Sequence, residues 1–252
     1  MGAILEAERL ARHFEVGDGT VLALDDVSFS IEQGSFIAVM GPSGSGKSTL
    51  LHMLGGLDRP TTGRVVLSGT DLSALSERDL TLFRRKATGF VFQFFNLLPT
   101  LNVYENVAVP FMISGRKSKA DMERIDDLLM LFGLEDKTRR PVSQLSAGEQ
   151  QRVAIARAFL TEPAIVIGDE PTGNLDSASG RELLQLLWES CDNYGQTILV
   201  VTHDPGVAIF ADRVLVLQDG ALVDDYEMGR REQHFDARPL LDHLQEQGLW
   251  GY

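Results

Sequence analysis

A chain of 252 residues with 44% hydrophobic and 23% charged residues can bury the core of one large α/β domain with a subdomain, which excludes a disordered or fibrous protein. The formal net charge of −13 argues against a surface that attracts nucleic acid or anionic lipid over long range. Its one cysteine, Cys191, cannot form an intrachain disulfide and reads as a small helix residue in a reducing compartment.

The first residues, MGAILEAERL, lack the charged segment and apolar run of an export signal, and Glu6 breaks the myristoylation pattern, so no export is expected. Between Ile4 and Met40, ILEAERL, VLALDDVSFSI and SFIAVM read as strands, and the last runs straight into glycines. STLLHMLGGL follows with helical apolar spacing up to Gly55 and Gly56, and TTGRVVLSG returns as a hairpin-like strand. Residues 94–145 read as a mainly helical insert, in which an apolar segment at 98–114 gives way to SKADMERIDDLLMLFGL with helical spacing.

From Ala164 strand and helix alternate: AIVIGDE, a helix over 177–195, TILVVTHD, a short helix over 207–211 and a hairpin over 213–225. Such alternation implies a parallel sheet covered on both faces. The apolar runs AIVI and TILVV fall far short of the roughly 20 residues that span a bilayer, so they are buried strands and any membrane association goes through a partner. In the tail, residues 226–252, Pro239 suits a first helical turn and Leu240, Leu241 and Leu244 share one face, which predicts an accessory helix.

GPSGSGKST, running Gly41, Pro42, Ser43, Gly44, Ser45, Gly46, Lys47, Ser48, Thr49, fits G-x-x-x-x-G-K-[ST] and lies between a strand and a helix, the context this phosphate loop requires. Its glycines let consecutive N–H groups turn onto phosphates and the helix end adds partial positive charge. Lys47 would reach the β- and γ-phosphates of a nucleotide, and the Ser48 hydroxyl would ligate Mg²⁺. AIVIGDEP ends a buried strand in two acids: Asp169 would support Mg²⁺, and Glu170 would polarise the attacking water. His203, after TILVVTHD, is placed to touch the γ-phosphate end, and Gln93, after GFVF, could coordinate Mg²⁺ or the water. QLSAGEQQR, residues 144–152, opens a helix rich in Gln, Arg and Ala and could hold an anion, yet it lies far from the phosphate loop.

The phosphate loop, Gln93, LSAGEQQR, IVIGDEP, the NLD of residues 174–176 and His203 together resemble, in order and spacing, the ATP-binding subunits of ABC transporters from about Leu5 to Val223. The resemblance implies an α/β fold with a P-loop NTPase core, a mainly parallel sheet, an N-terminal antiparallel β subdomain and a helical insert. It assigns 1–225 to the ATPase domain, with a helical subdomain at about 94–160 that contains the signature, and 226–252 to the tail. Phe14 matches the aromatic that stacks on adenine. In the family the signature of one subunit caps the ATP held by the other, which implies a head-to-tail homodimer on two ATP. Ser146, Ala147, Gly148 and Glu149 would then meet the partner's nucleotide, with Asp176 in the adjoining loop. Ala147 and Glu149 stand where glycine and glutamine are usual. Ala147 needs a backbone conformation open to a residue with Cβ, and Glu149, an acid close to a γ-phosphate, is expected to turn away toward a base.

Finer wording, in FVFQFFNLLPTLNVYENV, LLHMLGGLD and DEPTGNLDS, is similar to the MacB and LolD group. That likeness implies a permease partner in the membrane and movement of lipoproteins, peptides or drugs, or mechanical transmission alone. It also implies a cytoplasmic protein held peripherally on the inner face of a bacterial membrane, with no insertion and no nucleic acid partner. FtsE-type cell-division ATPases are similar too. A soluble ATPase of translation or repair would usually carry tandem domains or long inserts, a P-loop kinase would lack the signature, and a regulatory module that barely hydrolyses ATP is opposed by Glu170 and His203.

Overall fold

Side chains that face opposite sides residue by residue along the central strands divide the interior of this computed structural model, which describes residues 2–17, 19–229 and 236–249, into two cores. The strands among these residues are β1 (Ala3–Val16), β2 (Gly19–Glu32), β3 (Phe36–Met40), β4 (Thr62–Leu67), β5 (Thr70–Asp71), β6 (Thr88–Phe92), β7 (Ile165–Asp169), β8 (Ile198–Thr202), β9 (Arg213–Gln218) and β10 (Ala221–Glu227). The helices are α1 (Lys47–Leu54), α2 (Glu77–Ala87), α3 (Val103–Ser114), α4 (Lys119–Leu131), α5 (Ala147–Phe159), α6 (Ser177–Tyr194), α7 (Pro205–Ala208) and α8 (Arg238–Glu246). One sheet is antiparallel in the order β2-β1-β4-β5; the other runs β10-β9-β3-β8-β7-β6, parallel except for β10 against β9.

In the parallel sheet, Phe36, Ala38, Met40, Val200 and Val214 face the helices of the insert and the carboxyl-terminal half. Their neighbours Ile37, Val39, Leu199, Val201 and Leu215 face α1 and the antiparallel sheet, packing with Leu50, Leu54, Leu10 and Ile31. A period of two that is apolar in both phases is what a sheet covered on both sides demands, and each of these side chains larger than alanine contributes about 1.5–3 kcal/mol on burial.

Helix starts were written in the sequence. Asn102 with Glu105, Ser118 with Asp121, and Ser146 with Glu149 form reciprocal capping boxes at α3, α4 and α5. Helix α2, which the periodicity of residues 70–87 did not announce, is marked instead by its ends: Ser76 caps it, and Arg84, Arg85 and Lys86 close it. The short helix expected over 207–211 sits earlier, at Pro205–Ala208, because the Asp204 side chain accepts from the Gly206 N–H and Pro205 occupies the first turn.

The accessory tail lies partly outside the described residues; within them, α8 forms and buries Leu240 and Leu244 completely in the larger core. His243 fastens its exposed side, with Nε2 2.6 Å from Asp224 Oδ2 and the ring stacked on Tyr226 at 4.3 Å. A nine-residue helix is marginal alone, so its stability rests on this docking. Leu244→Asp is therefore expected to release α8, and hydrogen exchange should show protection of the Arg238–Glu246 amides falling by about tenfold or more.

Candidate functional site

Register places four loops at one edge of the sheet. Met40 pairs with Thr202, Asp169 with Val201, and Phe92 with Asp169, so the carboxyl ends of β3, β8, β7 and β6 finish level. The phosphate loop, His203, Glu170 and Gln93 each follow one of these ends, which is where open parallel sheets bind ligands.

Two glycines permit the loop's path. A Cβ on Gly41, at φ +155, would lie 2.0 Å from the Leu217 carbonyl oxygen; one on Gly46, at φ +101, would lie 2.3 Å from that of Ala23. Pro42, Ser43 and Gly44 form the exposed rim, and Lys47, Ser48 and Thr49 make the first turn of α1, so the helix end points into the loop. Lys47 is buried and donates from Nζ to the carbonyl oxygens of Gly41 at 2.9 Å and Pro42 at 2.8 Å, leaving one donor of three. Gly41→Ala is expected to displace the loop and weaken nucleotide binding by about tenfold or more, measurable by titration with a fluorescent nucleotide.

The residues fit a charged ligand and a cation. Burial lowers the Lys47 pKa against the opposing pull of Glu170 and Asp169; burial raises that of Asp169, with Glu170 adding to the rise and His52, Ser48 and Lys47 opposing it. Each charged form is thus penalised by desolvation that an opposite charge would relieve, a polyphosphate for Lys47 and a cation for Asp169. Ser48 Oγ lies 3.5 Å from Asp169 Oδ1, and the buried Ser45 Oγ has no hydrogen-bond partner among the described residues. A cradle of this kind suits phosphate oxygens and a hard cation.

Glu170 leaves β7 in a left-handed conformation, φ +45, held by its N–H to the Val201 carbonyl at 3.0 Å. A bulky residue there stores strain, a mark of functional turns. His203 Nδ1 donates to Glu170 Oε1 at 2.7 Å, which turns the second ring nitrogen outward on a side chain that is 63% exposed. Gln93 packs over Gly173, and its carbonyl accepts from Asn174 Nδ2 at 2.7 Å, joining the β6 end to the loop after Glu170. Phe14 stands apart on the β1–β2 ribbon, half-exposed, with the Arg12 guanidinium over its ring at 4.7 Å.

The signature lies elsewhere. Helix α5 packs against β6, so its sheet contact is three strand positions from β3, on the order of 14 Å away. Ser146 is its exposed N-cap, Ala147 is its first helical residue, and Gly148 approaches Ser179 of α6. Ala147 thus meets the requirement set by its Cβ: the capping box lets any L-residue follow Ser146. Glu149 Oε2 accepts from the Ser146 N–H at 2.8 Å, and its other oxygen pairs with Lys137 Nζ at 2.7 Å, the base it was expected to find. Asp176 caps α6, accepting from the N–H groups of Ala178 and Ser179 and from Ser179 Oγ; these contacts hold its pKa below the ordinary carboxylate value and engage it within its own chain.

Two residues of α5 belong to the site's support and were not singled out in the sequence. Gln151, fully buried, donates from Nε2 to the Pro171 carbonyl at 2.6 Å and the Phe92 carbonyl at 3.3 Å, tying α5 to the turns after β7 and β6. Arg157 donates to the carbonyls of Phe95 and Asn96, both at positive φ just after Gln93. For Gln151 a signal was available: Gln151, Ile155 and Ala158 fall on one buried helical stripe, where a polar residue must find partners inside.

Residues 24–173, more than half of the chain, match the family model described as ABC transporter. The lipoprotein-releasing system ATP-binding protein LolD of Cytophaga hutchinsonii is 46% identical over 205 residues, covering 81% of this chain and 94% of LolD. The macrolide export ATP-binding/permease protein MacB of Rhodopseudomonas palustris is 44% identical over 224 residues, 89% of this chain but only 34% of MacB, so the chain spans about a third of that relative. Among solved structures, the dimeric post-hydrolysis state of the ATP-binding cassette MJ0796 bound to ADP and Pi superposes with a TM-score of 0.82 at 39% identity, covering 90% of this chain and 99% of the cassette.

Proposed function

This chain belongs to the ABC transporter family, and from that premise we propose that it is the ATP-hydrolysing subunit of a transporter, working as a head-to-tail pair that closes on two ATP. The observation that carries this reading is the separation of two phosphate-binding ends in one chain: the loop after β3, and the α5 start on the far side of β7. A second copy turned head to tail brings each α5 start over the other's loop. The related cassette is dimeric and bound to ADP and Pi, which supports a paired working unit and ATP hydrolysis.

In the closed pair Lys47 and the loop N–H groups hold the phosphates, Phe14 stacks on the adenine, and Ser146 with the Gly148 N–H completes the cage. Glu170 accepts the proton of the attacking water, and His203, hydrogen-bonded to it, orients that carboxylate and faces the γ-phosphate. Ser48, Asp169 and Gln93 would hold a Mg²⁺ ion, which would supply positive charge against the charge that develops on the phosphates. Gln93 and Asn174 sit in the same hydrogen-bonded loops, so movement of the insert reaches the site through them.

Closure is the stroke passed to a membrane permease. Phe94, 73% exposed, and Leu98 open the apolar start of the insert and suit a short helix from such a partner. No described helix is long and apolar enough to cross a membrane, and the proposed place of the chain is the cytoplasmic face, held there by the permease. The names of its relatives, a lipoprotein-releasing system and a macrolide exporter, favour lipoproteins or drugs as cargo over a cell-division role. Recovery of the protein from native membranes should bring a permease with it, whose addition changes the rate of phosphate release; co-purification with ribosomes or DNA would sink the proposal.

A further inference from the structure

The acid in the signature has a partner with an address. Lys137 lies in the turn between α4 and α5 and reaches Glu149 Oε1 at 2.7 Å, while Glu149 Oε2 caps the Ser146 N–H at 2.8 Å. Both side chains are about a quarter exposed, so the pair is partly shielded from solvent and from salt. The Glu149 carboxyl is held below its ordinary pKa, first by Lys137 and then by the Ser146 N–H, so it is ionised. The same turn is bonded on its other side to the start of α3: the Val103 N–H donates to the Arg140 carbonyl at 3.1 Å and the Tyr104 N–H to the Thr138 carbonyl at 2.9 Å.

An ionised carboxylate three residues into a helix favours the helix end but opposes a triphosphate arriving there. Its cost depends on whether a cation accompanies it. We infer that Lys137 is a positioning residue of the ATPase cycle: it holds Glu149 against its own subunit and cancels its charge, so that Ser146 and the Gly148 N–H can receive the partner's ATP. The pair also anchors the α5 start to the turn that carries α3, so the nucleotide-facing and insert-facing ends move as one piece. This inference rests on the proposed reading that the signature meets nucleotide in trans.

The test uses the full chain with Glu170→Gln, in which ATP-bound dimers accumulate. Lys137→Met should raise the ATP concentration for half-maximal dimerisation by about tenfold, the order expected when a charged hydrogen bond is lost beside a ligand, while monomer affinity for a fluorescent nucleotide stays within about twofold. Lys137→Arg should restore the parental value. With Glu149→Gln as the background, the same Lys137→Met change should shift nothing, because no acid is left to neutralise and glutamine retains the capping box. Equal shifts in both backgrounds, or none in either, overturn the inference. Ser146→Arg is run beside them: if it leaves ATP-driven dimerisation intact, the trans reading itself has failed and takes the role of Lys137 with it.

Discussion

Glu170→Gln is expected to slow phosphate release by about 10²- to 10⁴-fold while ATP binding persists and dimers accumulate on ATP, as measured by light scattering after size exclusion. Glutamine keeps the length of the side chain, and its carbonyl oxygen can still accept from His203 Nδ1, so the 2.7 Å contact and the turn at φ +45 survive. What disappears is a group able to take a proton from water, together with a negative charge facing the γ-phosphate. Loss of the first stops hydrolysis, and loss of the second favours the closed state. Hydrolysis at the parental rate would remove Glu170 from water activation. Slow hydrolysis without dimer accumulation would instead mean that the substitution has disturbed the turn, a result that the acceptor glutamine still offers to His203 argues against.

The strand ends were legible because each carries two signals at once, an apolar run of five or so residues and then a residue whose chemistry is costly to bury. SFIAVM before the glycine loop, IVIGD before Glu170 and ILVVT before His203 are of this kind, and register then brings them level. Helix α2 was not legible by periodicity, since Leu80 is its one fully buried residue and its sequence ERDLTLFRRKA is mostly polar. The partners of the supporting residues were hidden for a different reason. The bonds of Gln151 and Arg157 go to backbone carbonyls of Phe92, Pro171, Phe95 and Asn96, and a carbonyl has no letter in the sequence. Lys137 lies twelve positions before Glu149, beyond any helical spacing, and only the turn between α4 and α5 brings the charges together. The sequence therefore names the groups proposed to touch nucleotide, while the groups that hold them in place required the fold.

The second large effect follows from the far end of the molecule. Ser146→Arg should reduce phosphate release by about 100-fold or more and abolish ATP-driven dimers, with monomer nucleotide affinity within about twofold of the parent. Two consequences of the substitution must be separated, because Ser146 is also the N-cap of α5, accepting from the Glu149 N–H at 3.3 Å. Loss of that cap alone costs about 0.5–2 kcal/mol, and Ser146→Ala isolates it: the cap goes, but the space for a phosphate remains. If the signature receives the partner's nucleotide, alanine leaves some ATP-driven closure and arginine leaves none, since a long side chain occupies the space in front of the Gly148 N–H. Were α5 only a structural helix, the two variants would lose stability alike and dimerise alike. Were the signature to touch nucleotide within its own chain, the arginine variant would lose affinity as a monomer, an outcome opposed by the three strand positions between the β6 that α5 packs against and the β3 that feeds the phosphate loop.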